Sequence, residues 1–275
     1  MNVLSIQSEV VYGHVGNGAA RFALSRLGHG VLAVPTVLLS SHAGYPIVAG
    51  EIVAPDLMRR LVGGLVANGW LAQCGAVLSG YLGDVAQAEV VADAVTRAKA
   101  AGALYCLDPV LGDDGRVYAK DGVEAAIAHT LLPLADIVTP NAFELSRLAG
   151  LPVANVADAR DACLSLARPM VVATSVPAGH GRLCALAVTR EAAWFASTPR
   201  LQNAPRGAGD LFAALFLGAR LSGRNLPDAL RHATAAVFHV LAASVAQASN
   251  EMLLISEQDA LVAPPEIAEL RIERI

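Results

Sequence analysis

Asp210 closes the tetrapeptide Gly207-Ala208-Gly209-Asp210 and runs straight into the apolar stretch 211–217. Two glycines permit a tight turn with close approach to a ligand. The apolar stretch reads as a buried helix, so turn and carboxylate fall at a helix N-terminus. Such an end offers unpaired N–H groups and the positive end of a dipole, and both suit a phosphate. A carboxylate in that first turn can take the proton of an incoming hydroxyl. The tetrapeptide therefore suits phosphoryl transfer to an alcohol, although an ordinary glycine turn with an aspartate cap has the same residues.

Elements that could position such a corner recur along the chain. Residues 3–6, 31–39, 76–79, 104–107, 137–139 and 171–173 are short apolar or β-rich runs. Helical patterns at 19–27, 55–67, 85–101 and 227–248 alternate with them, and 182–189 with 192–196 reads as a hairpin. Strands alternating with helices of this length predict an α/β chain, with a mostly parallel sheet covered on both faces. Several strands run into a polar residue: Ser8, Tyr81, Asp108, Asn141 and Thr174-Ser175. Ligands of open α/β sheets bind beyond the carboxyl ends of the strands, so these residues are expected to form one cleft facing Asp210. No repeat, low-complexity tract or linker divides residues 1–275, and one domain is expected.

Composition narrows the function classes. Hydrophobic residues make up 55% of the 275 residues and charged residues 16%, below the roughly 25% charged of an ordinary globular chain. A large core follows, with a further apolar face to hide in an oligomer. Residues 232–250 lack Asp, Glu, Lys and Arg, but their His, Thr, Ser and Gln argue for a buried helix rather than a membrane span. A net charge of −4 offers no basic footprint for nucleic acid. Cys74, Cys106, Cys163 and Cys184 are scattered and no export leader opens the chain, which together suggest a reduced, cytoplasmic protein. Gly13-His14-Val15-Gly16-Asn17-Gly18 resembles a dinucleotide loop only in passing, because no acid follows at the required distance. His232 and His239 could share a helix face, but no third metal ligand is apparent.

Taken in order, the motifs resemble the pyridoxal kinases of the ribokinase-like superfamily over nearly the whole chain. They are Ser5-Ile6-Gln7-Ser8 with Val10-Val11-Tyr12-Gly13-His14-Val15-Gly16-Asn17, Ser41-His42-Ala43-Gly44-Tyr45 and Leu78-Ser79-Gly80-Tyr81. Further on stand Asp108-Pro109-Val110-Leu111-Gly112-Asp113, Thr139-Pro140-Asn141 with Glu144, Thr174-Ser175 and the Gly207–Asp210 corner. The resemblance implies a three-layer sandwich with a small lid at 112–118, and phosphorylation of the 5′-hydroxyl of pyridoxal by ATP. It makes Asp210 the base and the amides of Gly207, Ala208 and Gly209 the anion hole. Asp108, Asp113, Asn141 and Glu144, with Thr174, Ser175, Gly207 and Gly209, would surround the ATP phosphates. Asp108, Asp113 and Glu144 would hold Mg²⁺, some through water. Ser8, Val37, His42 and Tyr81 would line the vitamin pocket beside Asp210. A homodimer, and a monovalent cation such as K⁺, are also implied.

The chain departs from the family pattern at several positions. Glu9 stands where His is usual, Ala43 where Thr is, Ser41 where Asn is, and Leu39 where Phe is frequent. Arg206 replaces a small apolar residue. These changes keep open another acceptor, a hydroxymethylpyrimidine or a sugar, and also a non-catalytic binder of the vitamin or of nucleotide.

Overall fold

Nearly continuous apolar strands fit a sheet buried on both faces, since successive side chains point to opposite sides. In β1 (Asn2–Val10) Val3 enters one core, while Leu4 and Ile6 enter the other. The computed structural model describes residues 1–113 and 116–275. After β1 come α1 (Asn17–Arg26), β2 (Gly30–Leu39), β3 (Gly50–Ile52), α2 (Pro55–Ala67), β4 (Cys74–Ser79) and α3 (Gln87–Ala100). Next are β5 (Leu104–Leu107), the short pair β6 (Gly112–Asp113) and β7 (Arg116–Val117), α4 (Val123–Ala126), β8 (Ile137–Val138) and α5 (Ala142–Ala149). The chain continues with α6 (Val156–Ser165), β9 (Met170–Pro177), β10 (Arg182–Val188), β11 (Ala193–Pro199), α7 (Ala208–Leu221), α8 (Leu226–Ala246) and β12 (Arg271–Arg274).

Among the described residues the main sheet has ten strands in the order β12-β11-β10-β9-β8-β5-β4-β1-β2-β3. Pairing is parallel from β9 through to β2 and antiparallel at both flanks. Helices α1, α7 and α8 pack on one face, α2 to α6 on the other. The expected α/β sandwich is therefore present. The long apolar helix α8 is long and apolar enough to cross a membrane. Its residues Ala229, Leu230, Ala233, Ala236 and Val240 instead pack into the core beside α7.

Two expected boundaries shift. The first strand reaches Val10 rather than stopping at residue 6, because the ladder with β2 resumes after a bulge between Gln7 and Glu9. Strand β9 likewise continues past residue 173 to Pro177, through Ser175 at φ 55. Strands β3 and β12 and helix α6 carry signals too short or too polar to have been recognised. The lid region expected at 112–118 is described as β6 and β7; its residues 114 and 115 lie outside the described residues.

Candidate active site

Backbone hydrogen bonds carry the parallel ladder one step past the strands and set the polar residues on one rim. The N–H groups of Gly80, Asp108, Thr139 and Thr174 donate to the carbonyls of Ile6 (3.1 Å), Ser79 (2.8 Å), Leu107 (2.9 Å) and Pro140 (2.8 Å). Asn141 and Thr174 also form an isolated parallel bridge. Asp108, Thr139, Asn141 and Thr174 thus stand on neighbouring strand ends. Thr174 is half-buried and Ser175 exposed, with Ser175 in the left-handed region that residues other than glycine rarely adopt.

Asn141 and Glu144 form a capping box at the start of α5: Asn141 Oδ1 accepts from Glu144 N–H, and Glu144 Oε2 from Asn141 N–H. Glu144 Oε1 also accepts from Leu111 N–H at 3.0 Å, and Asn141 Nδ2 donates to the Gly112 carbonyl at 2.8 Å. Both side chains therefore fasten the chain at the start of β6. Asp108 is 3% exposed; Thr139 Oγ1 donates to its Oδ1 at 3.2 Å. Its Oδ2 has no partner among the described residues. Burial, then the charges of Glu144 and Asp210, push the Asp108 carboxyl well up. Burial also raises Glu144 against its backbone donors, with exposed Asp113 adding repulsion. Three carboxyls so close cannot all be charged at low cost. Among the described residues no group of three His, Cys, Asp or Glu converges to hold a metal ion by itself.

Asp210 lies in the first turn of α7, whose N-cap Gly207 has φ 96. A Cβ at Gly207 would collide with the His14 carbonyl, and one at Gly16 with Ser8 Oγ and its carbonyl. Glycine is required at both positions for close backbone approach. The Gly16 N–H bonds to the Asp210 carboxylate, but burial dominates and pushes its pKa up to about 6. Ser8, Gly16 and Asp210 are thereby brought into one chain of contacts. Asn17, the first residue of α1, fastens this loop to the sheet: its Oδ1 accepts from Ser5 Oγ at 2.7 Å, and its Nδ2 donates to the Gln7 carbonyl at 3.2 Å.

The other side of the rim is built by loops. Tyr81 is half-buried and its carbonyl accepts from Thr36 Oγ1 at 2.7 Å; its phenol is raised by burial. Val37 is buried against Gly83, whose added Cβ would stand 2.7 Å from Val37 Cγ1. His42 bonds through Nε2 to Glu251 Oε1 at 3.0 Å, and its Nδ1 accepts from Gly44 N–H at 3.0 Å. Tyr45 Oη donates to the same Glu251 oxygen at 2.7 Å, and His14 N–H donates to Oε2 at 3.1 Å. Glu251 went unrecognised in the sequence; its only local signal is an acid directly before the apolar Met252-Leu253-Leu254. Glu9 pairs with Arg21 at 3.1 Å, and exposed Arg206 lies over the Tyr118 ring, 5.3 Å from its centroid. His232 and His239 bond to Arg224 and Glu257 and take no part.

A carboxylate at a glycine-cradled helix N-terminus, across a parallel sheet's carboxyl rim from buried acids, is the layout of a ribokinase-like small-molecule kinase. Residues 70–253 match the family model described as phosphomethylpyrimidine kinase. The pyridoxal kinase PdxY of Rubrobacter xylanophilus is 45% identical over 96% of this chain and 95% of that relative. The Leishmania donovani pyridoxal kinase solved with ADP and pyridoxamine superposes with a TM-score of 0.94 at 31% identity, covering 100% of this chain and 99% of that one. The Entamoeba histolytica pyridoxal kinase gives 0.93 at 27% identity, with the same coverage. The chain belongs to the pyridoxal kinase family.

Proposed function

We propose that the protein transfers the γ-phosphoryl group of ATP to the 5′-hydroxyl of pyridoxal, giving pyridoxal 5′-phosphate for vitamin B6 salvage. The observation that carries this reading is Asp210: a partly buried carboxylate in the first turn of α7, held by the Gly16 N–H and facing the acids of the rim. Asp210 accepts the hydroxyl proton as the oxygen attacks phosphorus, help worth roughly 10²–10⁴-fold in rate. The N–H groups of Gly207, Ala208 and Gly209 stabilise charge on the transferring group, where positioning and electrostatics supply most of the catalysis. Asn141, Thr174 and Ser175 border the phosphates, while Ser8, Val37, His42 and Tyr81 form the acceptor side.

Mg²⁺ suits this site, because Asp108 presents a buried oxygen without a partner among the described residues and its charge is crowded by Glu144 and Asp210. Asp108 would hold the ion, with Asp113 and Glu144 acting through water, in keeping with the preference of Mg²⁺ for oxygen ligands and retained waters. Held by these residues, the ion would supply positive charge against that of the phosphates. Residues 1–275 act as one kinase domain in this reading, and the four free, buried cysteines accord with a cytoplasmic setting. Exposed Leu57, Leu61 and Trp70 on and after α2 accord with a homodimer, measurable by light scattering. A K⁺ requirement is tested by exchanging K⁺ for Na⁺ in the assay.

The decisive experiment incubates purified protein with Mg·ATP and pyridoxal and follows pyridoxal 5′-phosphate by its absorbance. Product formation that depends on both substrates is expected; its absence at every pyridoxal concentration rejects the reading. The match to the phosphomethylpyrimidine kinase model favours one alternative acceptor, a hydroxymethylpyrimidine. Comparing kcat/KM for the two acceptors decides between them.

A further inference from the structure

Glu251 lies outside every motif discussed above, yet its side chain is only 12% exposed and gathers donors from two loops. Tyr45 Oη and His42 Nε2 donate to one oxygen, and the His14 backbone N–H to the other. Because Gly44 N–H donates into His42 Nδ1, the ring proton must sit on Nε2, where it points at Glu251. Both ring nitrogens are thus engaged, and His42 offers an acceptor its ring face or carbon edge rather than a nitrogen. The His42 and Tyr45 rings lie 4.8 Å apart, and Tyr12 meets Tyr45 edge-on at 5.7 Å. His14 in turn carries the carbonyl that packs on Gly207, and two residues on stands Gly16, whose N–H reaches Asp210.

We propose that Glu251 is a positioning residue that latches the 12–16 and 41–45 loops together and thereby sets the shape of the acceptor pocket. The proposal rests on the kinase reading and adds what holds its acceptor side. Glutamine cannot replace the carboxylate. With its single oxygen toward Tyr45 and His42, its amide N–H₂ meets the His14 N–H. Turned round, it meets the protonated Nε2 of His42.

The test is Glu251→Gln beside the milder Tyr45→Phe, which removes a single donor. For Glu251→Gln the KM of the hydroxymethyl acceptor should rise about tenfold, with the KM of ATP unchanged and kcat within a few-fold of wild type. Tyr45→Phe should raise the acceptor KM by about threefold. Unchanged acceptor KM values in both variants overturn the proposal, and so does a lower kcat with both KM values intact, the mark of a merely smaller active fraction. A second readout is independent of turnover. The hydrogen bond to Glu251, with burial and the Glu251 and Tyr12 charges, holds the Tyr45 phenol above its ordinary range. The ultraviolet difference between the protein and its Tyr45→Phe form should appear at lower pH once Glu251 is Gln than it does with Glu251 in place. Should the wild type phosphorylate no acceptor, the kinase reading fails alone; this titration then upholds the latch if the shift appears and rejects it if not.

Discussion

Asn141 and Glu144 cap each other three residues apart, and the Thr139–Asp108 and Glu144–Leu111 bonds join adjacent strand ends at separations of 31 and 33. His42, Tyr45 and His14 instead depend on one carboxylate 209, 206 and 237 residues away. On the proposed reading, the phosphate side of the site is therefore a property of the sheet and of helix N-termini, whose backbone is already ordered by the core. The acceptor side is a property of loops tied by side chains. On that reading, charge handling rests on the sheet and acceptor choice on tied loops. The two sides meet where Gly207 packs on the His14 carbonyl.

That contrast can be broken or sharpened by experiment, beginning with the largest effect. Asp210→Asn should lower kcat by about 10²–10⁴-fold while ATP still binds; near-normal turnover would remove the base from the mechanism. The same variant should unfold at higher temperature at pH 8 but not at pH 3.5. The folded pKa of about 6 lies above the ordinary 3.8, so the stability contributed by Asp210 is full below the lower value and lost as pH rises through the upper one. In the wild type, kcat/KM should correspondingly rise with pH through about 6 and level off above it.

Gly207→Ala should damage both sides at once. A left-handed backbone at a residue other than glycine costs about 1–3 kcal/mol, and the collision with His14 adds to it. A kcat loss of about tenfold or more, with both KM values raised, is expected; an effect confined to ATP would separate the two sides. Asn141→Ala should cost about 1 kcal/mol in urea unfolding and raise the KM of ATP alone, the mirror image of the Glu251→Gln pattern. Arg206→Ala should do least, because an exposed cation–π contact is worth about 0.5–1 kcal/mol. Its thermal midpoint should hardly move, and a large change in either KM would give Arg206 a ligand.

Alternating apolar runs and helical patterns were enough to foresee a parallel sheet, and most elements stand within a few residues of where they were expected. Helix α2 matches residue for residue, because Pro55 opens it and its pattern runs unbroken to Ala67. The corner at Gly207–Asp210 was legible because it is a local device, complete within four residues, whereas Asn141 and Glu144 were picked out only by resemblance and their mutual capping came from the structure. Burial of a carboxylate is not local, and so the orphaned Asp108 oxygen and the raised pKa values of Asp108, Glu144 and Asp210 became visible only once the strand ends were side by side. Glu251 is the extreme case. An acid before the apolar Met252-Leu253-Leu254 is all that residues 249–254 show of it, since its partners are supplied by chain more than two hundred residues earlier. Local sequence can specify a turn, a cap or a strand; which donors fill a carboxylate's lone pairs is decided by the packing that brings distant segments together.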